Sequence, residues 1–254
     1  MYTFFSTKKL SLGIGFLFGI ISYCHSQKIS IDSVVEFKQA RLEVVVFKNS
    51  YNAVKSFRFI NNSDLIPEKF FFKDINPDFA ISASIVDSSC QPKGLFIEHS
   101  KMIQPANFDS VGVGNFYLPQ NGVYFFANGI FSIEGIKSFK HRKDIDIALQ
   151  TGPMLVLKGR VNTVFGENSP NKHIRCGVGI FENNGMQYVI FAKSIDPINF
   201  YDLASFFLEK YNCKSALAIE SGKNASMYFS SKNKNRLSME NTACRYLVLE
   251  FLRN

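Results

Sequence analysis

The sequence lacks the compact motifs that define most metal sites and many common enzyme classes. Its five cysteines are far apart and include no Cys-x-x-Cys pair, which argues against a zinc site. There is no Gly-x-Ser-x-Gly, no His-Glu-x-x-His, no Walker loop and no dinucleotide-binding fingerprint. Internal repeats and coiled-coil heptads are also absent. The sequence therefore argues against the enzyme classes that these motifs define, and we expect neither a metal nor a cofactor.

The sequence also lacks an apolar run of the roughly 20 residues that a membrane-spanning helix needs. The nearest candidate is Leu10 to Tyr23, which follows Lys8 and Lys9 and precedes the tripeptide Cys-His-Ser. A cationic stretch, a short apolar run and small residues at a cleavage site are the three parts of a secretory signal. We therefore predict that residues 1–26 are a cleavable signal peptide. The protein would be exported, to the periplasm or outside the cell, without a permanent membrane anchor; a retained anchor is the alternative.

The rest of the chain, residues 27–254, has the length of one large domain with a continuous core. The formal net charge of the whole sequence is +8, and Lys8 and Lys9 contribute two of these charges. The remaining cations are scattered, so we expect no nucleic acid as a partner and at most an anionic ligand. Export permits disulfides whose pairing the sequence does not determine, and buried free thiols are the commoner state in a domain of this size. The cysteines concerned are Cys90, Cys176, Cys213 and Cys244.

The hydrophobic pattern predicts many strands and one clear helix. Nonpolar residues from Phe200 to Tyr211 recur at helical spacing, with Asn199 placed to cap the first turn and Asp202 to complete a capping box. A strand-helix-strand unit from Gln187 to Ile219 then predicts an α+β fold, a single domain with a mixed, largely antiparallel sheet and a few packed helices. The predicted strands are Leu42 to Phe47, Phe57 to Ile60, Gly122 to Phe126, Ile145 to Gln150, Gln187 to Ala192, Ser215 to Ile219 and Tyr246 to Phe251.

Glycine-rich polar segments at the ends of apolar runs are the candidates for a functional site. A strand places the polar side chain there, and glycine lets the backbone approach a ligand. Four such segments stand out, at residues 112–124, 150–155, 174–180 and 216–222.

In this order and at this spacing, the segments resemble the phosphodiester glycosidase family over about residues 78–229. That family cleaves the anomeric bond between a sugar and a phosphodiester, so the resemblance implies a small-molecule or glycan substrate that bears a phosphodiester. The likeness rests on Gly94-Leu95, Gly114-Asn115-Phe116, Asn121-Gly122-Val123, residues 150–155, Ile174-Arg175 with Gly177-Val178-Gly179, residues 199–204, and Cys213 before Ala216-Leu217.

The resemblance implies a catalytic set of Glu220, Arg175 and Ser82. Arg175 would hold the phosphate bidentately, and Glu220 would orient water or stabilise the oxocarbenium-like centre. Two of the implied substrate-binding residues, Gln150 and Thr151, suit hydrogen bonds to sugar hydroxyls or phosphate, although a strand-to-turn junction also uses such residues for its own backbone. The implied substrate-binding residues are Gln150, Thr151, Gly152, Gly177, Gly222 and Asn224.

The chain departs from the family pattern at some of these positions. Family members usually carry Asn-Ala-Gly where this chain has Ser82-Ala83-Ser84, and Leu-Asp-Gly-Gly where residues 219–222 read Ile-Glu-Ser-Gly. Two hypotheses follow from the resemblance and the departures. The chain is either a divergent exported phosphodiester glycosidase or a catalytically inactive relative that binds a sugar phosphate or a glycan.

Overall fold

A computed structural model describes residues 34–49, 54–83, 85–230 and 242–251. The predicted signal peptide lies outside these residues. Within them, no helix is long and apolar enough to cross a membrane.

The described strands form three sheets, in which every neighbouring pair is antiparallel. The seven-stranded sheet has the spatial order β1 (Val35–Phe37), β2 (Ala40–Lys48), β13 (Met186–Ser194), β12 (Arg175–Asn183), β14 (Ser215–Ser221), β10 (Met154–Leu157), β11 (Arg160–Val161). The four-stranded sheet has the order β15 (Met227–Phe229), β4 (Phe79–Ser82), β16 (Arg245–Phe251), β3 (Val54–Asn61). The five-stranded sheet has the order β6 (Lys101–Gln104), β5 (Phe96–Glu98), β9 (Ile145–Thr151), β7 (Gly122–Ala127), β8 (Ile130–Gly135).

Helical structure is a minor part of the described chain. The helices are α1 (Glu68–Ile75) and α2 (Phe200–Ser205), and α2 continues as a π-helical segment, Phe206–Lys210. Short 3-10 turns occur at Asn115–Tyr117 and Gly222–Asn224.

The α+β prediction with a mixed sheet is therefore wrong, because the fold is mostly β and its described strand pairs are all antiparallel. The predicted strand-helix-strand unit does exist, as β13, α2 and β14. However, β12 lies between β13 and β14 and is antiparallel to both, so the unit creates no parallel pair. All seven predicted strands are confirmed, since each lies within or coincides with a strand of the structure.

The predicted helix and its cap are confirmed. The backbone N–H of Asp202 donates to Asn199 Oδ1 at 2.8 Å, and Leu203 and Phe207 are fully buried. The Asp202 carboxylate forms an ion pair with Lys38 Nζ, 2.7 Å away, which is a contact that the capping-box prediction did not include.

The seven-stranded sheet has two buried faces. Its core-side face, which includes Val178 and Leu217, packs into one hydrophobic cluster with side chains of the other two sheets, such as Phe79 and Phe96. Its helix-side face carries Ala216 and Ala218 beneath α2 and the segment after it. Because successive residues of a strand point to opposite faces, this alternation decides which side chains of β12 and β14 can meet.

The four cysteines realise both of the states that the sequence left open. Cys90 and Cys244 form a disulfide that joins the segment before β5 to the start of β16. Cys176 and Cys213 are free thiols and are buried.

Candidate active site

A β-bulge between β12 and β14 organises the candidate site. Arg175 pairs with Ser221 and Cys176 with Glu220, but Gly177 pairs with Ala218, so Ile219 is an extra residue in β14. A bulge of this kind re-aims the side chains that follow it. Residues that lie opposite each other share a face. Glu220 therefore lies beside Cys176 on the core-side face, whereas Ser221 lies beside Arg175 on the helix-side face.

Thr151, on a strand of the neighbouring sheet, forms a hydrogen bond to the bulge. Its hydroxyl donates to the carbonyl oxygen of Ile219 at 2.9 Å, and both groups are buried. The hydroxyl therefore satisfies a backbone acceptor at the extra residue. This contact connects β9 of the five-stranded sheet to the strand that carries Glu220.

Arg175 is fully buried, with none of its surface exposed to solvent. Three of its nitrogens donate to acceptors within the protein: Nε to Ile198 O at 2.8 Å, Nη1 to Ser221 Oγ at 3.0 Å and Nη2 to Asn171 O at 3.0 Å. The guanidinium also stacks on the ring of Phe200, 3.6 Å from its centroid. Burial lowers the pKa of Arg175 to about 10, which leaves it charged at neutral pH.

Glu220 is a partly buried carboxylate with a strongly altered acidity. Burial raises its pKa to about 7, while the hydrogen bond from the Ser221 N–H to Oε1, 2.9 Å long, and the positive charge of Lys93 act in the opposite direction. Near neutral pH the group therefore exists in both protonation states. A carboxyl with these properties can accept or donate a proton at physiological pH.

Glu220 ends a row of polar residues across four neighbouring strands. Strand register places Glu43 opposite Lys193, Lys193 opposite Cys176, and Cys176 opposite Glu220. Lys193 Nζ lies 3.8 Å from Glu43 Oε2. A cavity of about 530 Å³ adjoins this row and is lined in part by Glu43 and Lys193. The row brings charges of both signs to the edge of the core-side face.

Lys93 is a candidate site residue that sequence reasoning missed. Its ammonium interacts electrostatically with Glu220 and lies 5.3 Å from the centroid of the Tyr117 ring. Its backbone carbonyl accepts a hydrogen bond of 2.9 Å from Asn107 Nδ2. The signal that could have found it is its position immediately before Gly94-Leu95, one of the segments on which the family resemblance rests.

Ser82 and Asn224 are hydrogen-bonded to each other close to the bulge. The Ser82 hydroxyl donates to Asn224 O at 2.6 Å and accepts from the Ser226 N–H at 2.8 Å. The Cys176 thiol lies 3.7 Å from Ser226 O, which connects this group to the row that contains Glu220. In this arrangement the Ser82 hydroxyl links β4 to the segment that follows Glu220.

Gln150 uses its side-chain amide within the protein. Its Oε1 accepts from the N–H groups of Leu95 and Asn107, both at 2.9 Å. Its Nε2 donates to Asn107 O at 2.5 Å and to Asn121 Oδ1 at 3.2 Å. Two accepted and two donated bonds fill the hydrogen-bonding capacity of an amide side chain. Gln150 therefore fixes the loop that begins at Asn107.

The three glycines of the predicted site have different structural roles. A Cβ on Gly152 would lie 2.6 Å from the Cβ of Asn121, and one on Gly177 would lie 2.8 Å from the ring of Phe207. Both positions therefore require glycine for close packing. Gly222 has a φ of +72° with open space around it, and its N–H donates to Ile174 O at 2.8 Å. This backbone bond closes the turn after Ser221 against the residue before Arg175.

The structure thus groups most of the predicted residues around the β12–β14 bulge. Thr151 and Arg175 donate hydrogen bonds to Ile219 and Ser221. Glu220 lies between these two residues, and Gly222 closes the turn that follows them. Ser82 and Asn224 join the group through Ser226, and Gln150 lies on the far side of the loop at Asn107. Arg175 and Glu220 do not face a common space, because they lie on opposite faces of the sheet.

Comparison with models of protein families identifies one family. Residues 76–247 match the family model described as phosphodiester glycosidase. The chain is 34% identical over 141 residues to the uncharacterized protein YigE of Escherichia coli (strain K12), a match that covers 56% of this chain and 54% of that protein. The chain thus spans about half the length of this curated relative.

A solved structure has the same fold. The catalytic domain of zebrafish N-acetylglucosamine-1-phosphodiester alpha-N-acetylglucosaminidase, auto-inhibited by its pro-peptide, superposes with a TM-score of 0.56 at 12% identity. The superposition covers 88% of this chain and 82% of that one. At this level of identity the likeness concerns the fold alone.

Proposed function

We propose that this chain, which belongs to the phosphodiester glycosidase family, hydrolyses the bond between a sugar and a phosphodiester, with Glu220 as the central carboxylate. The observation that carries the proposal is the position of Glu220 at the β-bulge, where burial raises its pKa to about 7 and the positive charge of Lys93 acts in the opposite direction. A carboxylate under the electrostatic influence of a cation suits a substrate that combines an anomeric carbon with a phosphate.

The reaction would break the anomeric C–O bond of the substrate. The electron pair of that bond leaves on the phosphate oxygen, and water supplies the oxygen that replaces it, giving a free sugar and a phosphate monoester. Because a phosphate monoester is a good leaving group, the reaction needs little general-acid assistance. The ionised Glu220 would orient the water and take its proton, or stabilise positive charge at the anomeric carbon.

Lys93 and Arg175 would have different roles in this reaction. The sequence-based expectation is that Arg175 contacts the phosphate, but its nitrogens donate to Ile198, Ser221 and Asn171 and its side chain is fully buried. We therefore propose Arg175 as a positioning residue that acts through Ser221 on the backbone beside Glu220. Lys93, whose positive charge lowers the pKa of Glu220, would provide the electrostatic attraction for the phosphate.

A catalytically inactive protein that binds a sugar phosphate is the second candidate. The observation that favours it is the internal hydrogen bonding of Ser82 and Gln150, whose polar groups bind other parts of the chain. Such residues would shape the site without contacting the substrate. In that case the departures from the family pattern at Ser82 and Glu220 would mark lost turnover.

One assay distinguishes the two candidates. The exported protein is incubated with a panel of sugar-1-phosphodiesters, and the release of phosphate monoester is measured for wild type, Glu220→Gln and the control Glu182→Gln, which changes an exposed glutamate on β12. The glycosidase proposal predicts release by wild type and by the control but not by Glu220→Gln. Saturable binding without release would support the inactive binding protein, and neither binding nor release would contradict both.

We also propose that the protein acts in an exported compartment, on the basis of the predicted signal peptide at residues 1–26. The mature chain would begin at or near Gln27. Intact-mass measurement of the exported material is the test. A mass that still includes Leu10 to Tyr23 would contradict cleavage.

A further inference from the structure

The loop between β6 and β7 presents nonpolar side chains to solvent. Phe108 is 69% exposed, Val111 89% and Val113 94%. Isolated exposed nonpolar residues are ordinary on protein surfaces, but three within six residues of one loop form a concentrated apolar tip.

Both ends of this loop are fixed to the body of the protein. Asn107 donates from Nδ2 to Lys93 O and from its N–H to Gln150 Oε1, each at 2.9 Å. At the other end Phe116 is fully buried, and its carbonyl accepts from Asn121 Nδ2 at 3.1 Å. The apolar tip is therefore the part of an anchored loop that projects outward.

A basic segment between β8 and β9 lies beside the apolar tip. Its cations, Lys137, Lys140, Arg142 and Lys143, are all exposed, and Arg142 pairs with Asp144 at 3.2 Å. The four cations occur within seven residues, so this part of the surface has a strong local positive charge.

Two observations place the loop and the basic segment on the same side of the molecule. Phe108, Leu118 and Lys137 line one cavity of about 550 Å³. Ala106 of the loop and Phe139 of the basic segment also pack on one hydrophobic cluster of the five-stranded sheet. The apolar tip and the cations are therefore neighbours on one face.

We propose that this face binds the surface of an anionic phospholipid bilayer. The apolar tip would insert at the boundary between headgroups and acyl chains, and the cations would lie at the level of the lipid phosphates. Stable binding of a protein to a membrane surface generally needs two such contributions, nonpolar insertion and electrostatic attraction. The cations of this face are complementary to the negative charge of an anionic bilayer. The apolar tip projects from the protein and can therefore insert between lipid headgroups.

The proposal goes beyond the hydrolytic function and does not depend on it. The loop begins at Asn107, which is bonded to Lys93, and the charge of Lys93 reaches Glu220. Binding of this face to a bilayer would therefore bring the candidate site close to phosphate-bearing molecules held at the membrane surface.

Vesicle co-sedimentation of the exported protein tests the proposal. The vesicles contain phosphatidylglycerol and phosphatidylethanolamine, with neutral phosphatidylcholine vesicles for comparison. We expect binding to the anionic vesicles that weakens with salt. The triple variant Lys137→Gln, Lys140→Gln, Lys143→Gln should bind about 100-fold more weakly, since each cation near an anionic surface strengthens binding about fivefold.

The matched control replaces three exposed lysines elsewhere, Lys69→Gln, Lys172→Gln and Lys214→Gln, and should lose much less affinity. A second variant, Phe108→Ser with Val111→Ser and Val113→Ser, should also lose at least about tenfold while nearly keeping the thermal unfolding temperature of wild type, because these side chains are mostly exposed to water in the folded protein. Val164→Ser, at another exposed position, is its control.

Three results would overturn the proposal. These are absence of binding to the anionic vesicles, equal binding to neutral and anionic vesicles, and equal losses in the test and control lysine variants. Concentration-dependent dimerisation that disappears in the Phe108, Val111 and Val113 variant, without vesicle binding, would instead assign the face to contact between two copies of the chain.

Discussion

Arg175 and Glu220 lie on adjacent cross-strand pairs of β12 and β14, yet their side chains are on opposite faces of the sheet. Arg175 faces Ser221 and the ring of Phe200, whereas Glu220 lies beside Cys176 in the region of the main core. Ser221 connects them, because its hydroxyl accepts from Arg175 and its N–H donates to Glu220. Ser221 therefore provides a hydrogen-bonded link from Arg175 to the carboxylate.

The raised pKa of Glu220 predicts that this residue lowers the stability of the protein at alkaline pH. Below its ordinary pKa of 4.5 the carboxyl is protonated in both folded and unfolded chains and costs nothing. As pH rises from about 4.5 to about 7 the unfolded chain ionises first, so stability falls by about 3 kcal/mol in total. Glu220→Gln should therefore be more stable than wild type at pH 8, by up to this amount, and equal to it at pH 4.

Urea unfolding of both proteins at pH 4 and pH 8 measures this difference. Glu182→Gln, at an exposed position, provides the control and should show no such pH-dependent gain. A Glu220→Gln variant that is as stable as wild type at both pH values would show that Glu220 titrates normally.

The buried guanidinium of Arg175 predicts that a lysine cannot replace it. Lysine lacks the planar fork that reaches Ile198, Ser221 and Asn171 together, so Arg175→Lys leaves acceptors around the buried side chain, including the buried Ile198 O, without donors. We expect a loss of about 2 to 4 kcal/mol in the free energy of unfolding. Urea unfolding is the measurement, and the exposed Arg160→Lys is the control. Equal stability of the two variants would contradict the positioning role of Arg175.

The buried face of the α2 segment predicts that a charge there unfolds the protein. Leu203→Asp should destabilise strongly, because it places a carboxylate in an apolar cluster with Ala192 and Ala216. Asn212→Asp adds the same charge at an exposed position just after the helical segment and should have little effect. Circular dichroism with thermal melting compares the two. A Leu203→Asp variant that melts like wild type would show that this face is not buried.

Local pattern was enough to predict seven of the sixteen described strands, the helix and its cap, but not β12. Short runs of β-branched and aromatic residues identify strands, and Asn199 before a helical repeat identifies a cap, because both signals are contained in neighbouring residues. The sheet topology was not predictable in the same way. The position of β12 between β13 and β14 depends on how distant parts of the chain pair. A strand-helix-strand pattern in the sequence does not reveal this pairing.

The sequence indicated several residues that the structure brings close together, but not their geometry. The family resemblance pointed to Arg175, Thr151 and Glu220, and all three meet the strand segment at residues 219–221 or belong to it. The β-bulge that separates the faces of Arg175 and Glu220 depends on the register of two strands, which the sequence does not reveal. Lys93 was missed because its relation to Glu220 exists only after the sheets have packed.

The pH dependence of kcat/KM on a sugar-1-phosphodiester tests the central role of Glu220 most directly. If the ionised carboxylate is required, activity should rise with pH through a midpoint near 7 and be lost in Glu220→Gln. Because Lys93 lowers the pKa of Glu220, Lys93→Met should move the midpoint to higher pH, whereas the control Lys214→Met should leave it in place. A profile that is flat from pH 5 to 9, or a midpoint that Lys93→Met leaves unchanged, would contradict the proposed role of the Glu220–Lys93 pair.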